Sequence, residues 1–82
     1  MTKKQKQFID DMIRSRNINF ARISMMVEVN ENIGTIMGTN YSANLDVKFA
    51  NCLKFGNGKS NCHPTSNIKY FNSDGKVIAS YS

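Results

Sequence analysis

The chain has no tryptophan, one proline, one histidine, two cysteines and six acidic residues among its 82 residues. Each scarcity narrows the field. No apolar run approaches the roughly 20 residues that span a bilayer, and the opening Met1-Thr2-Lys3-Lys4-Gln5-Lys6-Gln7 is not followed by the apolar core of a secretory signal. We therefore expect a chain that works in a cytoplasm, where Cys52 and Cys62 stay reduced and pack as small core residues. Zinc would need more ligands than Cys52, Cys62 and His63 provide, and adjacent residues of an extended strand point apart. That divergence also argues against Cys62 and His63 as nucleophile and base. Outside the first helix the acids are Glu28, Glu31, Asp46 and Asp74, none of them paired for acid–base work. Gly56-Asn57-Gly58-Lys59-Ser60 lacks the spacing of a phosphate-cradling loop and the helix that should follow it. No enzyme, metal or cofactor is expected.

What is present is a concentrated positive charge. Lys3, Lys4, Lys6, Arg14, Arg16 and Arg22 stand against Asp10 and Asp11, so residues 1–22 hold +4 of the net +5. Such a patch suits nucleic acid or an acidic protein surface. Arginine forks onto carboxylates and phosphates, which draws attention to Arg14, Arg16 and Arg22. A membrane-surface role is not expected, since the apolar stripe of this segment is short and lacks tryptophan.

Thr2 followed by Gln5 fits a capping box. Phe8, Ile9, Met12 and Ile13 then form one stripe, which predicts a helix over 3–15 with Asn17 as its stop. Lys6–Asp10 and Asp10–Arg14 sit at helical i,i+4 spacing. Ile18 and Phe20 are expected to plug the core beneath the strands that follow.

From Ile23 the period becomes two. Ile23, Met25, Val27 and Val29 share one face, Asn30-Glu31-Asn32 turns, and Ile33 to Gly38 returns with two glycines that suggest a bulge or close crossing. Leu45, Val47 and Phe49 alternate against Asn44, Asp46 and Lys48. Lys54 to Asn61 contains Gly56-Asn57-Gly58-Lys59-Ser60, expected to be a mobile turn, and Pro64 breaks strand pairing. Ile68–Phe71 and Lys76–Ser80 flank Asn72-Ser73-Asp74-Gly75, a hairpin signal. These elements predict one α+β domain, mostly β. Residues 1–22 form a basic helix and plug, packed on a five- to six-stranded antiparallel barrel over 23–82.

Val27 to Gly38, continuing through Asn44 to Phe49, resembles the opening hairpins of SH3-like barrels of the KOW type. It departs from them in carrying Asn30, Glu31 and Asn32 where the first loop usually has a glycine. The wider pattern, Gly34-Thr35-Ile36, Asn61-Cys62-His63-Pro64 and Tyr70-Phe71 before a last hairpin, resembles small bacteriophage-encoded proteins. That resemblance implies a host-cell cytoplasm and interference by occupancy with a host protein or ribonucleoprotein machine, anti-CRISPR-like or otherwise anti-defence. The alternative is a nucleic-acid-binding SH3-like module with the basic patch on phosphate and Tyr41 or another aromatic under a base. Candidate partner-binding residues are the six cations named above, with Tyr41, Lys48, Lys59 and His63 on the barrel. Oligomeric state stays open.

Overall fold

A computed structural model describes residues 2–40 and 42–82. Helix α1 spans Lys3–Arg16. Thr2 Oγ1 accepts from the Gln5 N–H at 3.1 Å, which is half of a capping box. The other half is absent, because the Gln5 side chain leaves the helix. Its Oε1 accepts from the Ile23 N–H at 2.8 Å and its Nε2 donates to the Ile23 carbonyl. Asn17 ends the helix in the left-handed region at φ 55° and donates its N–H to the Ile13 carbonyl.

The apolar stripe of α1 is narrower than its sequence suggests. Phe8 and Met12 are buried, Ile9 is half-buried and Ile13 is 45% exposed. The i,i+4 pairs give way to an i,i+3 pair between Arg14 and Asp11.

The strands are β1 (Met26–Val29), β2 (Asn32–Thr39), β3 (Leu45–Phe49), β4 (Ser60–Cys62), β5 (Ile68–Phe71) and β6 (Val77–Tyr81). They form one antiparallel sheet in the order β4-β3-β2-β1-β5-β6. The sheet does not close into the expected barrel, for β4 and β6 remain edges. Pro64 explains one of them: it sits two residues beyond the three-residue β4 and has no N–H to extend a ladder.

Strand β1 begins at Met26 rather than Ile23, because Ser24 adopts φ 76° in a turn that interrupts the alternation. The β1–β2 hairpin pairs Val29 with Asn32, leaving Asn30 (φ 49°) and Glu31 (φ 70°) as a two-residue turn of the kind that follows sheet twist. Each glycine of β2 has its own role. A Cβ on Gly34 would meet Val47 Cγ1 at 2.6 Å, whereas Gly38 has open space and sits where the register to β3 shifts.

Leu45, Val47 and Phe49 alternate buried with exposed or half-buried neighbours, as their pattern predicts. Between β3 and β4 lies a helical turn, α2 (Cys52–Phe55), which ends just before the expected turn at Gly56. Asn51 Oδ1 caps it by accepting from the Lys54 N–H. Its Phe55 ring stacks on Phe49 at 4.1 Å.

One core joins both parts of the chain. Phe8, Met12, Ile18 and Ala21 lie against Val27, Ile36, Leu45, Val47, Ile68 and Tyr70, all buried. Ile18 is thus the plug, with Phe20 partly buried and edge-on to Tyr70 at 4.9 Å. Cys62 joins the core and Cys52 does not; it is exposed on α2, and neither is bonded.

Candidate functional site

The cations of residues 1–22 separate into two groups. Lys3, Lys4 and Lys6 occupy the first turns of α1 and are exposed. That turn contains no acidic residue. No carboxylate lies within ion-pair distance of these lysines among the described residues. Positive charge at this end opposes the partial positive charge of the helix N-terminus, so the three lysines lower helix stability slightly. Lys59, from the segment leading into β4, lines the same groove as Lys4. The groove measures about 340 Å³ and includes Gln7, Asp11, Met37 and Asp46.

The arginines are engaged within the fold. Arg16 Nε donates to the Ala43 carbonyl at 3.1 Å, and Nη2 donates to the Ser42 carbonyl at 3.1 Å and to Asn44 Oδ1 at 2.8 Å. Its Nη1 lies 3.4 Å from His63 Nε2. Arg22 Nη1 donates to the carbonyls of Asn19 and Ala21, closing the segment that follows the helix. Arg14 pairs with Asp11 at 2.6 Å with its own side chain 72% exposed, so that pair is screened and loosely held.

The loop that receives Arg16 is built by Asn40. Its Oδ1 accepts from the N–H groups of Ser42 and Asn44, and its Nδ2 donates to Asp46 and Asn61. Such a side chain stands in for backbone at a turn, a signal carried in the sequence by Asn40 and its neighbours.

His63 is exposed, next to buried Cys62, so the two side chains diverge as extended neighbours should. His63 Nδ1 accepts from the Thr65 N–H at 3.2 Å. The turn that carries it is anchored from below, where the Tyr70 hydroxyl donates to the Pro64 carbonyl at 2.6 Å. Burial holds the Tyr70 phenol above its ordinary pKa, and burial followed by the charge of Asp46 does the same for the Cys62 thiol.

Lys48 projects from β3 opposite Thr35 and is exposed. Tyr41 lies outside the described residues. Of the other aromatic residues that could stack on a base, Tyr70 is buried, Phe55 stacks on Phe49 and Tyr81 meets Tyr70 edge-on at 6.2 Å. Tyr70 is enclosed by the core and one face of Phe55 is covered by Phe49, whereas Tyr81 is half-buried. Phe71 is half-buried.

Among the described residues, no three His, Cys, Asp or Glu side chains are grouped to hold a metal ion. No described helix is long and apolar enough to cross a membrane. The arrangement that remains is a lysine surface on the N-terminal half of α1, reaching Lys59 through a shared groove. It can attract anionic groups as point charges.

Compared with known protein families, with characterised proteins and with solved structures, the chain matches none.

Proposed function

We propose that the protein is a non-enzymatic binding protein. It docks the lysine face of α1, with Lys59, onto an acidic surface of a host protein or ribonucleoprotein machine and blocks that surface by occupancy. The sequence resembles small bacteriophage-encoded proteins, and stoichiometric interference with a host machine, anti-CRISPR or other anti-defence work included, is the usual role of proteins of that kind. The setting would be the host-cell cytoplasm. The SH3-like reading is supported by the β1–β4 meander and by the return of β5 beside β1, which gathers the strands around one core.

One observation carries the proposal. Lys3, Lys4 and Lys6 stand where they lower helix stability, and the first turn has no acid to offset them. A surface shaped for stability alone would carry the opposite charge there. The engagement of Arg16 and Arg22 with backbone carbonyls moves the contact away from the arginines.

The test compares the wild-type chain with a Lys3→Glu, Lys4→Glu, Lys6→Glu variant in capture from nuclease-treated host lysate. A discrete complex retained by the wild type and lost by the variant supports the reading, and a complex kept by both overturns it. The second reading, a nucleic-acid module, uses the same lysines on phosphate. Anisotropy with random oligonucleotides separates the two. Affinity that falls log-linearly with salt, whatever the oligonucleotide sequence, assigns the patch to phosphate.

A further inference from the structure

Between α1 and the end of β2 runs the groove that joins Lys4 to Lys59. Ile23 and Met37 line it as half-buried apolar side chains. Ile23 is held in place from the helix, since Gln5 binds both its N–H and its carbonyl. Gly38 also lines the groove, opposite Asp46 on β3. Residues paired across two strands share a face of the sheet, so a side chain at Gly38 would enter the groove. A Cβ there meets nothing within 4 Å, and the φ of Gly38 lies outside the left-handed region that would call for glycine. The missing side chain leaves room that the backbone does not require.

Charged groups of both signs line the groove, and they differ in how far the fold satisfies them. Asp11 accepts from Gln7 Nε2 at 2.9 Å and from Arg14 Nη2 at 2.6 Å, and Asp46 accepts from Asn40 Nδ2 at 3.3 Å. Lys4 and Lys59 are exposed, with no carboxylate within ion-pair distance among the described residues. The charge left for a ligand is therefore positive, and it stands beside an apolar surface.

We infer that this groove takes an acidic segment of a protein, with one apolar side chain seated against Ile23 and Met37 and carboxylates reaching Lys4 and Lys59. The inference rests on the proposed role of the lysine surface and names what enters it. Charge and polarity select the occupant together. A nucleic-acid strand carries a phosphate on every nucleotide, and its passage would press that charge against Asp11 and Asp46. A polypeptide can place its carboxylates at the lysines and an apolar residue between them. The apolar contact contributes affinity that salt does not screen, unlike the lysine contacts.

Two capped peptides test it, each with a pair of glutamates on either side of a central residue, leucine in one and serine in the other. Binding is followed by NMR of the full chain, on the Gly38 amide and the Met37 methyl. The leucine peptide is expected to shift both signals saturably and to bind at least about tenfold more tightly than the serine peptide. Gly38→Leu fills the groove and leaves the lysines in place, so it is expected to stay folded by circular dichroism and to lose that preference. Met37→Ala is expected to reduce the preference as well, and serves where Gly38→Leu does not fold. Lys4→Glu with Lys59→Glu is expected to abolish binding of both peptides. Equal affinity for the two peptides, or a preference that survives in folded Gly38→Leu, overturns the inference and leaves the proposed function standing. Binding that survives the double lysine reversal overturns both. If neither peptide binds, the inference fails; a random single-stranded oligonucleotide that then shifts the groove signals assigns the lysines to phosphate, and the proposed function fails with it.

Discussion

At its C-terminal end α1 holds Arg16 within hydrogen-bond reach of Ser42, Ala43 and Asn44, whereas at its N-terminal end Lys3, Lys4 and Lys6 stand in solvent without carboxylate partners among the described residues. In the sequence these residues are interchangeable contributors to one basic patch. In the fold they belong to different systems. A guanidinium has several donors in a fixed plane, and a loop with outward carbonyls satisfies them; an ammonium on a flexible stem stays hydrated. The lesson concerns arginine especially: a cluster of arginines marks a place where carbonyls converge as readily as a place where a partner binds.

Substitutions at the two ends should therefore separate stability from binding. A core substitution sets the scale. Gly34→Val drives a branched side chain toward Val47 Cγ1, which a bare Cβ would already approach to 2.6 Å, and toward the Lys48 carbonyl oxygen at 3.2 Å. It is expected to destabilise by about 3 kcal/mol, read as a fall in urea midpoint with little change in slope. Arg16→Ala comes next. It leaves the 42–44 carbonyls without their donor and is expected to lower stability by about 2 kcal/mol, with Arg16→Lys recovering little of it. Partner affinity, measured on the folded fraction, should change little. Were that affinity to collapse while the melting curve held, Arg16 would belong to the contact surface and the contrast would fail.

The lysine reversal acts in the opposite sense. Lys3→Glu, Lys4→Glu and Lys6→Glu together place acids at the helix N-terminus and are expected to raise stability by about 1 kcal/mol, while affinity for an acidic partner falls at least about tenfold. The smallest effect belongs to Arg14→Ala. That exposed pair with Asp11 is expected to contribute below about 0.5 kcal/mol, within the error of most thermal melts.

The sequence was most legible where physics is local. The Thr2 cap, the Asn17 stop, the alternation of β3 and the Asp74-Gly75 hairpin all rest on interactions within a few residues, and each is present. Four features were less legible for identifiable reasons. Helix α2 has four residues, too few to display a period. The open edges follow from which strand each neighbour finds across the sheet, which alternation does not encode. Gln5 was expected to cap its own helix, but Ile23 offers both a donor and an acceptor from 18 residues away. Arg16 reads in the sequence as one cation of the basic patch, and its hydrogen bonds to the loop that Asn40 shapes, 26 to 28 residues away, leave no local signal. Of the candidate site, the lysines were legible as charge; their separation from the arginines was not.

The place of β5 in the sheet has a kinetic consequence. Every other strand pairing joins neighbours in sequence, while Val27 meets Tyr70 across most of the sheet's chain length. Closing that seam joins two sequence-local pieces, the β1–β4 meander and the β5–β6 hairpin, across the largest separation in the sheet. Refolding is therefore expected to be limited by the meeting of those pieces, with amide exchange along the β5-facing side of β1 expected to precede exchange in the rest of the sheet.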